Sequence, residues 1–207
     1  MSQWFKRLSD VPNIFYKTNS SIRRTSLRGH NARPEFNSYE FDGRTRTYVS
    51  WPSLDGSGTT SQAPCEQWIT QPHSEETPGQ TALRQLQEQL ELPGTVENYG
   101  NCLWQGILAL SQYRKDEPWV YEEVERICLL SISLLEAYPD SFAHQDQDGK
   151  ISYFNGAASH LIRLYERSGY IREALAIAQR VARFGIVEHE KLQLAARLEV
   201  LEQENDN

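Results

Sequence analysis

Apolar residues recur with a helical period in the segment 158–186. Small or apolar side chains stand at Ala158, Leu161, Ile162 and Tyr165, and again at Ile171, Ala174, Leu175, Ala178, Val181 and Ala182. Both sets follow the i, i+3, i+4, i+7 spacing that lays an apolar stripe along one side of a helix. Ser168 and Gly169 break the period, so the pattern predicts two helices joined by a tight turn. Two short helices cannot bury both stripes alone, so the segment indicates a stacked helical array, a design typical of binding proteins.

The helical reading extends from about residue 80 to the end of the chain. It predicts helices over 81–92, 98–113 and 118–138, and a final amphipathic helix over 188–204. The helix over 118–138 is apolar nearly all round in its middle, so we expect it to be the central and most buried one. A polar-faced final helix would suit the end of a stacked array, which needs a soluble cap.

The best strand pattern lies in residues 37–51. Asp42-Gly43 is a typical two-residue hairpin turn, because glycine readily takes the positive φ that such a turn needs. A turn at that point would pair Phe41 with Arg44, Tyr39 with Arg46, and Asn37 with Tyr48. Residues 1–36 show no period, and we interpret them as an irregular arm that docks through its aromatic residues.

Taken together, the patterns predict a mainly α protein with three segments. Residues 1–51 form a basic arm containing one β-hairpin. Residues 52–79 are rich in Ser, Thr, Gly, Pro and Gln, which is typical of a linker or a long loop. Residues 80–207 form the helical domain, with five or six helices.

The spacing Leu161-x3-Tyr165-x3-Gly169-x3-Glu173-Ala174-Leu175 resembles the tetratricopeptide repeat. In that resemblance Gly169 matches the turn and Ala174 the small residue where the two helices cross. The resemblance is confined mainly to residues 158–186, and Gly185-Ile186 replaces the proline usual after the second helix. It implies a short tetratricopeptide-like array, and the alternative is an ordinary helical hairpin in a nonrepeating α domain.

The resemblance also implies a concave groove that binds a partner protein. By register, the outward positions that would line this groove are Asn155, Ser159, Arg163, Glu166, His189, Gln193 and Arg197. Arg163 and Arg197 would then pair with a carboxylate of the partner, because guanidinium groups bind carboxylates through two parallel hydrogen bonds. The alternative for each position is a plain solvated residue.

Composition narrows the class of protein. The chain has 207 residues, 39% of them hydrophobic, and a mean hydropathy of −0.63. It has no apolar run of the roughly 18–20 residues that a membrane span needs, and we expect no membrane contact. The three cysteines, Cys65, Cys102 and Cys128, are an odd number without a CxxC pair. This pattern argues against a disulfide framework or a zinc knuckle and favours a reducing cytoplasm. We also expect no metal site and no cofactor.

Charge is distributed unevenly. Residues 1–50 contain nine Lys/Arg and four Asp/Glu, whereas the other 157 residues contain twelve and twenty-four. The basic and aromatic positions of the arm are Arg23, Arg24, Arg28, Arg33, Tyr39, Phe41, Arg44, Arg46 and Tyr48. Arginines with aromatics can bind phosphates and stack on bases, so a nucleic-acid-associated protein is one alternative function. The other is an arm whose charged face packs on the acidic helical body.

Gly100-Asn101-Cys102-Leu103-Trp104 resembles the nucleophile motif of ovarian-tumour-type cysteine proteases. In that family the motif opens a helix, whose N-terminus would lower the pKa of the thiol. The preceding aspartate of the family is Tyr99 here, and the late strand with a histidine is absent. The competing interpretation, which we favour, is a buried cysteine that packs as a small apolar residue.

Asp146, Asp148, Gly149 and Ile151 resemble part of a calcium-binding EF-hand loop. His144 and Asn155 stand where that loop places an aspartate and a bidentate glutamate, so two hard oxygen ligands are missing. We therefore expect a polar connection between helices.

The function that the sequence favours is noncatalytic: an adaptor or regulator that binds another protein through its groove or its arm.

Overall fold

A computed structural model of the protein describes residues 5–27, 35–41, 44–52, 58–61, 69–145 and 148–205. The chain divides into two compact units, Met1–Ser141 and Phe142–Asn207. The boundary lies inside the predicted helical domain, so the three predicted segments do not correspond one to one with the two units.

Among its described residues, the first unit contains three α-helices: α1 Pro78–Glu91, α2 Val96–Ser111 and α3 Val120–Ala137. Their bounds confirm the three predicted helices to within a few residues. α1 and α2 each begin with a capping box, in which the side chain of Thr77 or Thr95 accepts from the backbone N–H three residues on. The side chain of that third residue in turn accepts from the backbone N–H of the threonine.

α2 is the middle helix of this unit, because it packs against both α1 and α3. The approach of α1 and α2 is close at Gly106, where a Cβ atom would lie 2.5 Å from Cδ2 of Leu86. The sequence predicted α3 to be the central helix, because the middle of this helix is apolar nearly all round. That surface is indeed deeply buried over much of its circumference, but within this unit the central position belongs to α2.

Residues 5–27, which we term the strap, are well anchored and contain two short 3-10 turns, Leu8–Asp10 and Arg24–Ser26. Phe5 and Gly94 exchange two backbone hydrogen bonds of 3.0 and 3.2 Å. The hydroxyl of Tyr138 donates to the carbonyl of Pro12 at 2.7 Å. The apolar anchors are Phe5, Leu8, Val11, Ile14 and Leu27. Most of these buried anchors are aliphatic, whereas the sequence predicted that aromatic residues would anchor the arm. Phe15, one of those aromatic residues, is 94% exposed.

After the strap, the described residues form an antiparallel sheet of three strands: β1 Glu35–Phe41, β2 Arg44–Pro52 and β3 Gly58–Ser61, in that order. The pairing of β1 with β2 is the predicted one, with Phe41 opposite Arg44 and Tyr39 opposite Arg46. β3 pairs with the end of β2 and falls within the segment predicted to be a linker. The predicted turn at Asp42-Gly43 lies outside the described residues.

In the second unit, the part that the structure describes contains a short antiparallel pair, β4 Ala143–Gln145 with β5 Ile151–Tyr153, and three α-helices. The helices are α4 Gly156–Arg167, α5 Ile171–Val181 and α6 Glu188–Asn205. α5 packs against both α4 and α6. The predicted helical hairpin and the predicted final helix are therefore both present, and the protein is mainly α with one β-hairpin in its arm.

Candidate protein-interaction surface

The turn between α4 and α5 is built around Gly169. Gly169 has a φ of +83°, a left-handed backbone conformation that residues other than glycine and asparagine rarely adopt. The backbone N–H of Tyr170 then returns to the carbonyl of Tyr165 at 2.9 Å, which closes the end of α4. Ala174 and Ala178 are fully buried on α5. Small side chains at these positions suit the close packing of α5 against its neighbours.

The predicted groove positions of this unit have different environments. Arg163 on α4 and Gln193 on α6 are exposed, and Ser159 is half-buried. The side chain of His189 lies outside the described part of the chain. Arg197 donates from Nη1 to Oε1 of Glu166 at 2.8 Å, so these two residues join α6 to α4 instead of both facing an open groove.

Asn155 departs from the groove prediction. It is the residue before the first turn of α4, it is buried, and its Oδ1 accepts from the backbone N–H of Ala158 at 3.1 Å. The register inherited from the repeat placed this residue outward. Its short amide side chain instead bends back to satisfy a donor at the helix N-terminus, which is a common use of asparagine at that position.

α6 has an inner face that is fixed by apolar packing and by two ion pairs. Leu194 is buried and Leu198 is half-buried on this face. Arg197 pairs with Glu166 on one flank of it, and Glu202 pairs with Arg172 at 3.1 Å on the other. At 100° per residue these groups surround a single side of the helix, so the opposite side faces solvent.

The opposite side of α6 carries a second apolar stripe. Leu192 is 71% exposed, Val200 is 54% exposed, and Ala196 between them is also exposed. The three residues are spaced i, i+4, i+8 and therefore lie along one line on the helix surface. The prediction of a polar outer face for the last helix is wrong, because leucine and valine stand where a cap would carry polar residues.

The basic arm is only partly described. Arg23 is exposed, and Arg24 donates from Nη2 to the carbonyl of Lys6 at 3.4 Å within the strap. Arg28 and Arg33 lie outside the described residues. The backbone of Tyr39, Phe41, Arg44, Arg46 and Tyr48 forms β1 and β2, whereas their side chains lie outside the described part. What the structure shows of this part of the arm is the strand register of β1 with β2.

Cys102 lies inside α2 and is only 1% exposed. Burial in apolar surroundings raises the pKa of its thiol, and the same cause raises the pKa of the Cys128 thiol to about 12. A nucleophilic cysteine needs the opposite shift and access for a substrate. The environment of Cys102 therefore matches a packing role and argues against the cysteine-protease resemblance.

The segment that resembles a calcium loop contains the β4–β5 pair, and Asp146 lies outside the described residues. Within the described ranges, no three metal-ligating side chains come together. No helix in the same ranges is both long and apolar enough to cross a membrane.

Sequence reasoning identified the helix that carries the exposed stripe but not the stripe itself. Leu192, Ala196 and Val200 were visible in the sequence, and a count of apolar residues on both sides of α6 would have revealed them.

In comparisons with known proteins, no family model, no curated protein and no solved structure matches this chain significantly.

Proposed function

We propose that this protein is a noncatalytic protein-interaction module, an adaptor or regulator, and that the outer face of α6 is its principal contact surface. The observation that supports the proposal is the second apolar stripe of that helix. Leu192 and Val200 are both more than half exposed on a helix whose opposite side is already packed. Aligned exposed apolar residues of this kind are typical of surfaces that a partner covers.

Two of the predicted groove positions, Gln193 and Arg197, lie on α6 next to this stripe. At 100° per residue, Gln193 lies about 20° and Arg197 about 60° around the helix from Val200, so both border the stripe. Arg197 is already paired with Glu166, and that pair can form the polar rim around an apolar centre. The proposed contact surface thus combines an apolar line with a rim of polar side chains.

A capture experiment tests the proposal directly. Tagged full-length protein is incubated with lysate of its native cell, with and without nuclease, and retained proteins are identified by mass spectrometry. The double variant Leu192→Gln/Val200→Gln is compared with the wild type, because glutamine keeps helix propensity while removing the apolar stripe. Leu108→Gln, at an exposed leucine of α2, is the matched control.

The expected result is a stoichiometric protein partner that survives nuclease, is retained by Leu108→Gln, and is lost with the double variant. A partner that leaves with the nucleic acid would instead favour a nucleic-acid-associated protein. Equal capture by the wild type and the double variant would exclude the outer face of α6 as the contact surface.

A further inference from the structure

The outer face of α6 has the shape of a helix-binding surface. Leu192 and Val200 are separated by eight residues, or about 12 Å along the helix axis. Ala196 lies midway and leaves a shallow notch between the two larger side chains. Helices pack by placing side chains of one helix between rows of the other, so this ridge and notch suit the apolar stripe of a second helix.

The charge around this face is acidic. Residues 188–205 contain five glutamates against Lys191 and Arg197. Arg197 is paired with Glu166, and Lys191 is half-buried towards the packed side. Glu188 and Glu199 are exposed and lie along one flank of the stripe, eleven residues or three turns apart. A partner helix would therefore meet an apolar line with negative charge along one edge.

A second copy of this chain fits the face poorly in an antiparallel pairing. In an antiparallel pair of α6 helices, the same flank of each helix faces the other, which would bring Glu188 and Glu199 of both copies together. Like charges placed opposite each other disfavour such a pairing. The acidic flank instead complements lysine or arginine on a different chain.

We infer that the outer face of α6 binds an amphipathic helix of another protein, one with an apolar stripe and a basic flank. Two of its basic residues lie about three turns apart, opposite Glu188 and Glu199. The inference rests on the proposed function and adds the chemistry of the partner. Apolar burial supplies affinity, and the charges on the flank select for basic helices over acidic ones.

Two synthetic helical peptides of about 18 residues test the inference. Both carry the same leucine stripe, and one has a lysine flank whereas the other has a glutamate flank. A scrambled lysine peptide without the stripe controls for nonspecific attraction to an acidic protein. Binding of each fluorescent peptide to the full-length protein is followed by anisotropy, with circular dichroism to confirm that every variant remains helical.

The lysine-flanked peptide is expected to bind saturably, and the glutamate-flanked and scrambled peptides are not. Leu192→Gln/Val200→Gln should weaken binding about tenfold or more, and Leu108→Gln should leave it unchanged. Glu188→Gln/Glu199→Gln should weaken it about threefold or more, and salt should have a similar effect, because the flank is exposed and screened.

Several results would overturn the inference. Equal binding of the lysine and glutamate peptides would contradict the basic flank that we infer for the partner helix. The absence of an effect of Glu188→Gln/Glu199→Gln would contradict it as well. A concentration-dependent dimer in sedimentation, lost in Leu192→Gln/Val200→Gln, would make a second copy the occupant. Failure of the peptides to bind, with lysate capture still dependent on Leu192 and Val200, would reject the partner chemistry and leave the proposed function standing. Failure of both experiments would reject both.

Discussion

At the scale of single residues, Glu91 is a buried carboxyl group with an incomplete set of hydrogen bonds. It is only 3% exposed at the end of α1, and its Oε1 has no hydrogen-bond partner among the described residues. Its Oε2 lies 3.8 Å from Nη1 of Arg7 in the strap. Loss of solvation raises the pKa of this carboxyl, although Thr18, Arg7 and Arg24 act in the opposite direction. Folding therefore makes this carboxyl easier to protonate than it is in the unfolded chain.

Glu91→Gln is expected to stabilise the protein at neutral pH by about 1 kcal/mol, because a neutral amide replaces a poorly solvated charge. An acid whose pKa is raised by folding contributes less stability as pH rises from its ordinary value of 4.5 through its folded pKa. The variant should lack this decline. Urea unfolding at a series of pH values measures both effects, with the exposed Glu75→Gln as control. A lower stability of the variant at neutral pH would show that the contact with Arg7 outweighs burial.

Gly169 provides a second residue-scale prediction. A Cβ at this position would meet nothing within 4 Å, so only its positive φ opposes a side chain. Gly169→Ala should therefore lower the free energy of unfolding by about 1–2 kcal/mol, and Gly169→Asn by less, because asparagine tolerates the left-handed region. Urea titration of the two variants gives the comparison. Equal losses for alanine and asparagine would indicate a cause other than backbone conformation.

At the scale of elements, the segment 69–77 is fixed to α1 by a cluster that we term the Arg84 clasp, formed by Thr70, Glu76, Arg84 and Glu88. Arg84 donates to both carboxylate oxygens of Glu76, at 2.6 and 2.9 Å, and to Glu88 at 2.9 Å. The backbone N–H of Thr70 donates to Glu88 at 2.8 Å. The hydrogen bonds that Glu76 accepts from Arg84 lower the pKa of the Glu76 carboxyl to about 2. One arginine thus organises a connection that has no regular structure.

Arg84→Met is expected to cost about 3 kcal/mol, because it leaves the buried Glu88 without its cation. A carboxyl with a lowered pKa contributes its full stability above 4.5 and loses it as pH falls through about 2. The variant should therefore show a weaker loss of stability over that acid range. It should also exchange the Thr70 amide hydrogen faster, which hydrogen-exchange measurements detect.

Arg126→Met is the matched control for the clasp. Arg126 pairs with Glu123 at 2.6 Å, but the pair is exposed on α3. Exposed ion pairs contribute roughly 0–1 kcal/mol, so this variant should change stability little. An effect of Arg126→Met as large as that of Arg84→Met would contradict the importance given to burial.

At the scale of the whole molecule, the strap is part of the first unit and not a free arm. Leu8 is fully buried, and the short turn Leu8–Asp10 packs against α1. Leu8→Ala should therefore lower the free energy of unfolding by about 3 kcal/mol, the usual cost of truncating a buried leucine. Phe15→Ala, at a side chain that faces solvent, should change it by less than about 0.5 kcal/mol. Denaturant unfolding measures both, and a Leu8→Ala variant as stable as Phe15→Ala would mean that the strap is not docked.

The regular elements were largely predictable because their patterns are local. The six α-helices of the described residues lie within a few residues of their predicted bounds, since each depends on a period of apolar residues and on nearby breaks such as Pro139 and Gly169. The register of β1 with β2 follows from the position of a two-residue turn. Within the candidate site, the helices were predictable, but the burial of Asn155 and the pairing of Glu166 with Arg197 were not.

What the sequence alone determined is therefore the set of helices, the hairpin pairing and the mainly α class. Only the tertiary structure decided that Leu8 anchors the strap, that Glu91 is buried beneath it, and that α2 is the middle helix of its unit. It also decided which of two apolar stripes on α6 is packed and which is exposed. The physical reason is that periodicity records which side chains share a face, whereas burial depends on which other element reaches that face, and that contact joins residues far apart in the chain.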